Sequence, residues 1–248
     1  MTNEELIIER FKRVKERGFI KSNRTNDTGI GKTFEDYMSV PENNLDEPDL
    51  FGYEIKSHRE LSNSYVTLFT KAPSFPKKAN TYLKDKYGQD TDGNPDLKKI
   101  HTSMFANSFN TYFNLYSFKL INDKQNSLLK IGIYDINSHE LIDDSCGYTH
   151  EDIKKALDQK LKKLFLVKAE NEKRVDGEYF KYVSADIYED PSISKFLELI
   201  DNGTIMYDIR IGSYKSGRNY GKAHDHGSGF RIKGNDITKL YSNHKLCK

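Results

Sequence analysis

Leu6, Ile7, Phe11 and Val14 recur at helical spacing near the start of the chain, and Gly18 ends the pattern, which predicts an amphipathic helix over 3–17. A polar stretch over 21–28 leads to Gly29 and Gly31, after which Thr33 is placed to cap a short helix carrying Glu35 toward residue 40. Residues 51–57 and 65–71 alternate or run apolar with β-formers, as two adjacent strands would. A Lys- and Pro-rich loop over 72–78 precedes a predicted helix over 79–87, and Asp92-Gly93-Asn94-Pro95 signals a turn. Residues 111–121 and 128–134 flank a polar turn and predict a hairpin, followed by a helix over 150–162. Further strands are predicted at 164–169, 179–187, 205–213 and 229–233, with a helix over 191–200 that Gly203 ends. The pattern is that of a mixed α/β (α+β) protein.

Composition narrows the class. At 248 residues the chain can bury a sizeable interior as one large domain or a core with a second lobe, and its 16 Tyr and 14 Phe argue against disorder. Its two cysteines, Cys146 and Cys247, with no apolar leader at the start, read as free thiols of an intracellular protein, and a structural zinc site is not expected. The longest purely apolar run, over 164–167, is far short of the roughly 20 residues of a membrane span, so no membrane role is expected. Net charge is only +2, but it is segregated: residues 35–60 hold eight acids against Lys56 and Arg59, and residues 206–248 hold nine Lys and Arg against three Asp. Such a split suits an acidic metal-binding patch beside a basic surface that neutralises phosphates, although a Lys-rich face is also what a merely solvated surface looks like.

The acidic segment contains Pro48-Asp49, then Glu54-Ile55-Lys56. On a strand Glu54 and Lys56 share one face while Tyr53 and Ile55 turn to the core. Asp49 and Glu54 can share a hard divalent cation such as Mg2+, and the lysine can orient or help deprotonate an attacking water, which is the chemistry of phosphodiester hydrolysis. The same carboxylate-x-lysine step recurs at Asp152-Ile153-Lys154 and Asp158-Gln159-Lys160, but in a predicted helix, where residues two apart point about 200° apart and cannot share a ligand. Glu35, on the preceding helix, is a further candidate carboxylate.

Gly29-Ile30-Gly31-Lys32-Thr33-Phe34-Glu35-Asp36, Pro48-Asp49, Glu54-Ile55-Lys56 and Leu68-Phe69-Thr70-Lys71, in this order, resemble the MutH-like branch of the PD-(D/E)xK nucleases. Within it the chain is similar to the MvaI/BcnI type of restriction endonuclease, the MvaI side most. The similarity resumes at Asp208-Ile209-Arg210-Ile211-Gly212, Tyr214, Ser216-Gly217 and His224-Asp225-His226-Gly227, leading to Phe230-Arg231-Ile232. It is loose between these regions, where the aromatic stretch 104–118 departs from the pattern. The resemblance implies a two-lobed enzyme with a PD-(D/E)xK core, a mixed sheet flanked by helices, that closes on double-stranded DNA and cuts at CC-N-GG sites with Mg2+, Mn2+ being a substitute. It implies catalytic roles for Glu35, Asp49, Glu54 and Lys56, with Asp49 and Glu54 on the metal, and base reading by Asp208, Arg210 and Arg231. It also implies a monomer that cuts one strand at a time, a separate cognate methyltransferase, and a bacterial cytoplasmic setting. The catalytic lobe is expected mainly in 1–100, and the strand-rich remainder over 101–248 includes the recognition lobe.

Elementary chemistry agrees with the reading roles: arginine bonds bidentately to guanine O6 and N7, and aspartate accepts from cytosine N4. An ordinary surface ion pair between Asp208 and Arg210 is the alternative. Lys71, beside Ser64 and Thr67, is a candidate phosphate contact, and Tyr214, His224, Asp225 and His226 belong to a Gly-, Ser- and His-rich loop expected to touch DNA. His224 and His226 have metal-ligand spacing, but no third and fourth ligand is evident nearby. Residues 29–33 look like a nucleotide P-loop yet lack its leading glycine, where Asn26 stands, so no ATP is expected. Two other readings stay open: a MutH-like mismatch-repair nickase, and a non-catalytic sequence-specific DNA-binding protein.

Overall fold

Thr2 starts the first helix with a capping box, its hydroxyl accepting the Glu5 amide while the Glu5 carboxylate accepts the Thr2 amide. In chain order the elements are α1 (Asn3–Lys15), β1 (Phe19–Lys21), α2 (Gly29–Met38), β2 (Glu54–Arg59), β3 (Tyr65–Thr70), α3 (Ala79–Tyr87), β4 (Gln89–Thr91), β5 (Asn94–Met104), β6 (Tyr116–Asp123) and β7 (Leu128–Asp135). They continue with β8 (Leu141–Thr149), α4 (His150–Lys160), β9 (Lys163–Arg174), β10 (Gly177–Pro191), α5 (Ile193–Asp201), β11 (Ile205–Ser213), β12 (Ala223–Asp225), β13 (Gly229–Lys233) and β14 (Tyr241–Cys247), with short 3-10 turns at Gly217–Asn219 and Gly234–Leu240. The computed structural model describes residues 1–24, 29–40, 48–59, 65–91 and 93–247. The architecture is mixed α+β, and among these residues no helix is long and apolar enough to cross a membrane.

The chain forms two units, each assembled from separated stretches. Unit 1 comprises Met1–Val66, Ala156–Ser192 and Lys233–Lys248. Its sheet runs β1-β10-β9-β2, with β14 also paired to β10, and is mixed because β2 lies parallel to β9 while the other pairs are antiparallel. One sheet face carries Ile55, Phe165, Val167, Ala185 and Ile187, and it is buried with Ile7, Phe11 and Val14 of α1 and Ile30, Phe34 and Met38 of α2. A bulge between Tyr182 and Ser184 shifts the parity of β10, so that Phe180 and Tyr182 join the same core. The opposite face carries Glu54, Lys56 and His58, and Gly234 packs on the His58 ring so closely that a Cβ added to it would lie 3.2 Å from the ring.

Unit 2 comprises Thr67–Lys155 and Ile193–Ile232. A six-stranded sheet runs β3-β13-β11-β5-β4, with β12 beside β11, and a three-stranded meander runs β6-β7-β8. Its centre is aromatic: Phe69, Phe196, Tyr207 and Tyr148 surround Phe230 with ring centroids 5.0 to 5.3 Å from it. Such tilted and edge-on contacts add to the area that these large rings bury.

Several local expectations are corrected. Thr33 does not cap α2, which begins at Gly29; it is fully buried inside the helix and its hydroxyl accepts the Asn23 amide. The strand expected over 51–57 begins at Glu54, because Leu50 and Tyr53 exchange backbone hydrogen bonds around Phe51 and Gly52, both at positive φ. That is the geometry of a tight two-residue reverse turn. β2 and β3 are not neighbours but belong to different sheets. The strand expected from 111 begins at Tyr116, since Phe113 and Asn114 both take left-handed backbone angles.

Candidate functional site

In unit 1 the tight turn at 50–53 folds Asp49 back onto the start of β2, where its Oδ2 accepts the Ile55 amide at 2.7 Å. Glu54 and Lys56, two apart on β2, lie on one face as the strand period requires, and Lys56 Nζ donates to Glu54 Oε1 at 2.9 Å. Both side chains are largely sheltered, with 12% and 18% of their surface exposed. Glu35 reaches this group from α2. Burial raises its pKa, and the Asp49 charge raises it further, while Lys32 and Lys56 pull it down. Asp49 is likewise raised by burial and then by Glu54, against the Ile55 amide and Lys56. The structure therefore brings Glu35, Asp49, Glu54 and Lys56 into one electrostatic neighbourhood with more carboxylates than cations.

That imbalance is what a hard cation relieves. Glu54 Oε2 is buried without a hydrogen-bond partner, and an anionic oxygen left in that state is costly unless something positive completes it. Two carboxylates plus water and phosphate oxygens suit Mg2+, which keeps part of its hydration shell. The donor set is minimal: among the described residues no group of three or more His, Cys, Asp or Glu side chains is arranged to hold a metal, and that includes His224 and His226. Asp152, Lys154, Asp158 and Lys160 lie in α4, as expected for chance copies of the motif.

In unit 2 a polar cluster is organised on the six-stranded sheet around Asp208. Its carboxylate accepts from Arg210 Nε at 2.7 Å and Ser103 Oγ at 2.9 Å, and Arg231 Nε lies 2.9 Å away as an ion pair. Arg231 also donates to Thr67 Oγ1 at 2.9 Å. The cross-strand partners on β5 complete the cluster, Ser103 opposite Asp208 and His101 opposite Arg210, each pair sharing a face. A cavity of about 430 Å³ is lined by His101, Thr102, Ser103, Asp208, Arg210 and His226. Burial, then the His226 ring and the nearby cations, hold the His101 pKa below its usual value.

The loop residues divide. Tyr214 stacks on His224 at 4.2 Å, His224 meets His226 at 4.3 Å, and His226 approaches His101 at 6.2 Å, a row of rings beside the Asp208 cluster. Asp225 is engaged within the protein: it accepts from the Gly227 and Ser228 amides and from Asn80 Nδ2. Lys71 pairs through its backbone, its amide donating to Ser228 O and its carbonyl accepting the Tyr148 hydroxyl. Ser64 lies outside the described residues. His101 and Ser103 were not anticipated, because Lys98, Lys99 and Thr102 interrupt the alternation of β5 and only Ile100 and Met104 there are buried.

Residues 8–241 match the model of the MvaI/BcnI restriction endonuclease family. The chain is similar to the restriction endonuclease MvaI bound to its cognate DNA substrate, with 35% identity, 98% of each chain covered and a TM-score of 0.88. It is also similar to MvaI in the absence of DNA, at 35% identity over 100% of this chain and 98% of that one, with a TM-score of 0.67. No curated protein sequence matches it. A family match over nearly the whole length and this degree of identity lead to one conclusion: the chain belongs to the MvaI/BcnI restriction endonuclease family and is a type II site-specific deoxyribonuclease.

Proposed function

We propose that this endonuclease hydrolyses double-stranded DNA at a CC-N-GG site, either CCWGG or CCNGG, with Mg2+ as its ion and Mn2+ as a substitute. The observation that carries the reading is the Asp208 cluster: one carboxylate between two arginines on adjacent strands offers an acceptor for cytosine N4 and two forks for guanine O6 and N7. Similarity to MvaI in complex with its cognate DNA supports the duplex as substrate.

Nucleases of this family generally use divalent cations, and Asp49 and Glu54 are the side chains that would hold one here. When bound, the cation supplies a polarised water and stabilises charge on the phosphate and the leaving oxygen. Lys56, fixed by its bond to Glu54, orients the water by donating to it, and the water's proton passes to solvent while the new P–O bond forms. The bond to the leaving alkoxide then breaks, and that oxygen takes a proton from solvent. Glu35 is the third carboxylate of the catalytic group, brought beside Asp49 from α2.

In unit 2, Asp208, Arg210 and Arg231 read bases, with Tyr214, His224 and His226 beside them. Ser64, Thr67, Lys71 and Asp225 complete the DNA-contacting set. The protein acts in the bacterial cytoplasm as a monomer, without ATP, cuts the two strands in separate events, and has a cognate methyltransferase as a separate protein that protects host sites. Digestion of a plasmid of known sequence with Mg2+, beside EDTA and the Glu54→Ala protein, with the ends sequenced, tests this. Discrete Mg2+-dependent cuts at one CC-N-GG subset, preceded by a nicked circle, are expected. Cuts at unrelated sequences would overturn the site, and simultaneous cleavage of both strands would overturn the monomeric course.

A further inference from the structure

Lys84, on α3, is 4% exposed, an unusual place for an ammonium group. Its Nζ donates to Gly221 O at 2.6 Å, lies 2.9 Å from Asp85 Oδ1 and reaches Ser213 Oγ at 3.5 Å. A methionine or leucine would fill this volume without the cost of desolvating a charge, so packing alone gives no reason for a lysine. What the charge does is hold the backbone of a particular hairpin.

That hairpin joins β11 to β12, with Ser213 opposite Ala223, and its tip is residues 214–222. The tip is closed by the Tyr214 amide to Lys222 O and the Gly221 amide to Tyr214 O, each 3.0 Å. It turns through Gly217 and Gly221, both at positive φ, where a glycine is needed. It holds Lys215, Arg218 and Lys222, all exposed, and no Asp or Glu. Asn94 Nδ2 donates to the Tyr220 hydroxyl at 2.9 Å, and Asn80 of α3 holds Asp225 at the hairpin's other end. The basic tip is thus clamped along one side rather than left as a free polar loop.

We propose that residues 214–222 form an arm that grips DNA phosphates through Lys215, Arg218 and Lys222, and that Lys84 is the positioning residue that keeps the arm in its gripping shape. This rests on the reading that duplex DNA is the substrate. Phosphate contacts made from an ordered loop release counterions, and each contributes about 0.9 to the slope of log affinity against log salt.

The test is binding of the full-length protein to a site-bearing duplex without divalent cation, between about 50 and 200 mM salt. The triple variant Lys215→Gln, Arg218→Gln, Lys222→Gln is expected to flatten the slope by about two to three. Lys84→Met is expected to flatten it comparably, and adding it to the triple variant is expected to change the slope no further. Loss of folded protein lowers the active fraction but leaves the slope of the remainder unchanged, so the slope separates positioning from mere stability. A triple variant with the wild-type slope overturns the arm, and it decides alone should Lys84→Met fail to fold. A Lys84→Met effect that adds in full to that of the triple variant overturns the positioning role. Wild-type protein that neither binds nor cuts the duplex would instead remove the reading beneath both.

Discussion

The Asp49 carboxylate is bonded to the Ile55 amide, so the first acid of the proposed catalytic group is tied to the strand that presents the second. The tie and the charge can be separated by substitution. Asp49→Asn keeps an oxygen for the amide and removes a negative charge from beside Glu54 and Glu35. It is expected to abolish cleavage while melting at or above the wild-type temperature in EDTA. Asp49→Ala also abolishes cleavage, but strands the amide and should cost about 1 to 3 kcal/mol. Equal melting of the two variants would mean that the tie carries no stability.

Asp208 makes a prediction of the opposite kind. Its carboxylate is almost wholly buried and balances two arginines, so Asp208→Ala leaves Arg231, itself 15% exposed, without its main partner. Removing one member of such a sheltered pair costs about 3 kcal/mol or more. Arg210 is half exposed, so Arg210→Ala should leave the melting temperature nearly unchanged. It should instead reduce discrimination at one base pair by about 1 to 3 kcal/mol, read by competing cleavage of duplexes with single changes in the site. Uniform weakening on every sequence would mark Arg210 as a phosphate contact.

What could be read from the sequence follows from how local the signals are. The helices α1, α3, α4 and α5 and the strands β11 and β13 were legible because each has a regular apolar face and a glycine or turn at its end. The strand placement of Glu54 and Lys56 was legible for the same reason, with Ile55 buried between them. β5 and β8 were not: β5 is a polar strand whose partner β11 lies far along the chain, His101 opposite Arg210, and β8, although it pairs with the neighbouring β7, opens with polar and exposed residues and buries only Cys146, Gly147 and Tyr148. Their pairing is set by the sheet, and no periodicity within Asn94–Met104 reports it. His101 and Ser103 were missed with that strand. β14 was missed likewise, since only its first and last residues, Tyr241 and Cys247, are buried.

A pH dependence is built into the anchor of α3 on β8. Asp143 Oδ2 accepts from the Tyr82 and Tyr87 hydroxyls, each at 2.6 Å, and from Lys86 at 2.9 Å. Burial by itself would raise this carboxyl, but the hydrogen bonds outweigh it and hold the pKa well below the usual 3.8. A lowered folded-state pKa contributes stability that is complete above the unfolded value and lost as pH falls toward the folded one. Asp143→Asn should therefore cost about 2 kcal/mol at neutral pH. The gap in melting temperature should narrow as the pH falls below about 4. A gap that stays constant down to strong acid would mean that the charge is not what holds α3.

Gly229 tests how tightly β13 must approach β3. It sits on β13 directly opposite Asp208, two residues before Arg231. A Cβ there would lie 2.4 Å from Phe69 O and 3.0 Å from Thr70 Cα, and both are backbone atoms of β3 that cannot swing aside. Gly229→Ala must therefore separate β13 from β3 and disturb the bond from Arg231 to Thr67. The expected cost is about 1 to 3 kcal/mol, with specific cleavage falling more steeply than stability. Gly31 in α2 is the contrast, since a Cβ there meets only Glu35 Oε1 at 3.8 Å, an ordinary contact. Gly31→Ala should raise the melting temperature by the equivalent of about 0.5 to 1 kcal/mol through helix propensity. Thermal melts and site-specific cleavage of the two variants side by side would check both. A Gly229→Ala protein that melts and cuts as the wild type does would show that β3 and β13 have room to part without moving Arg231.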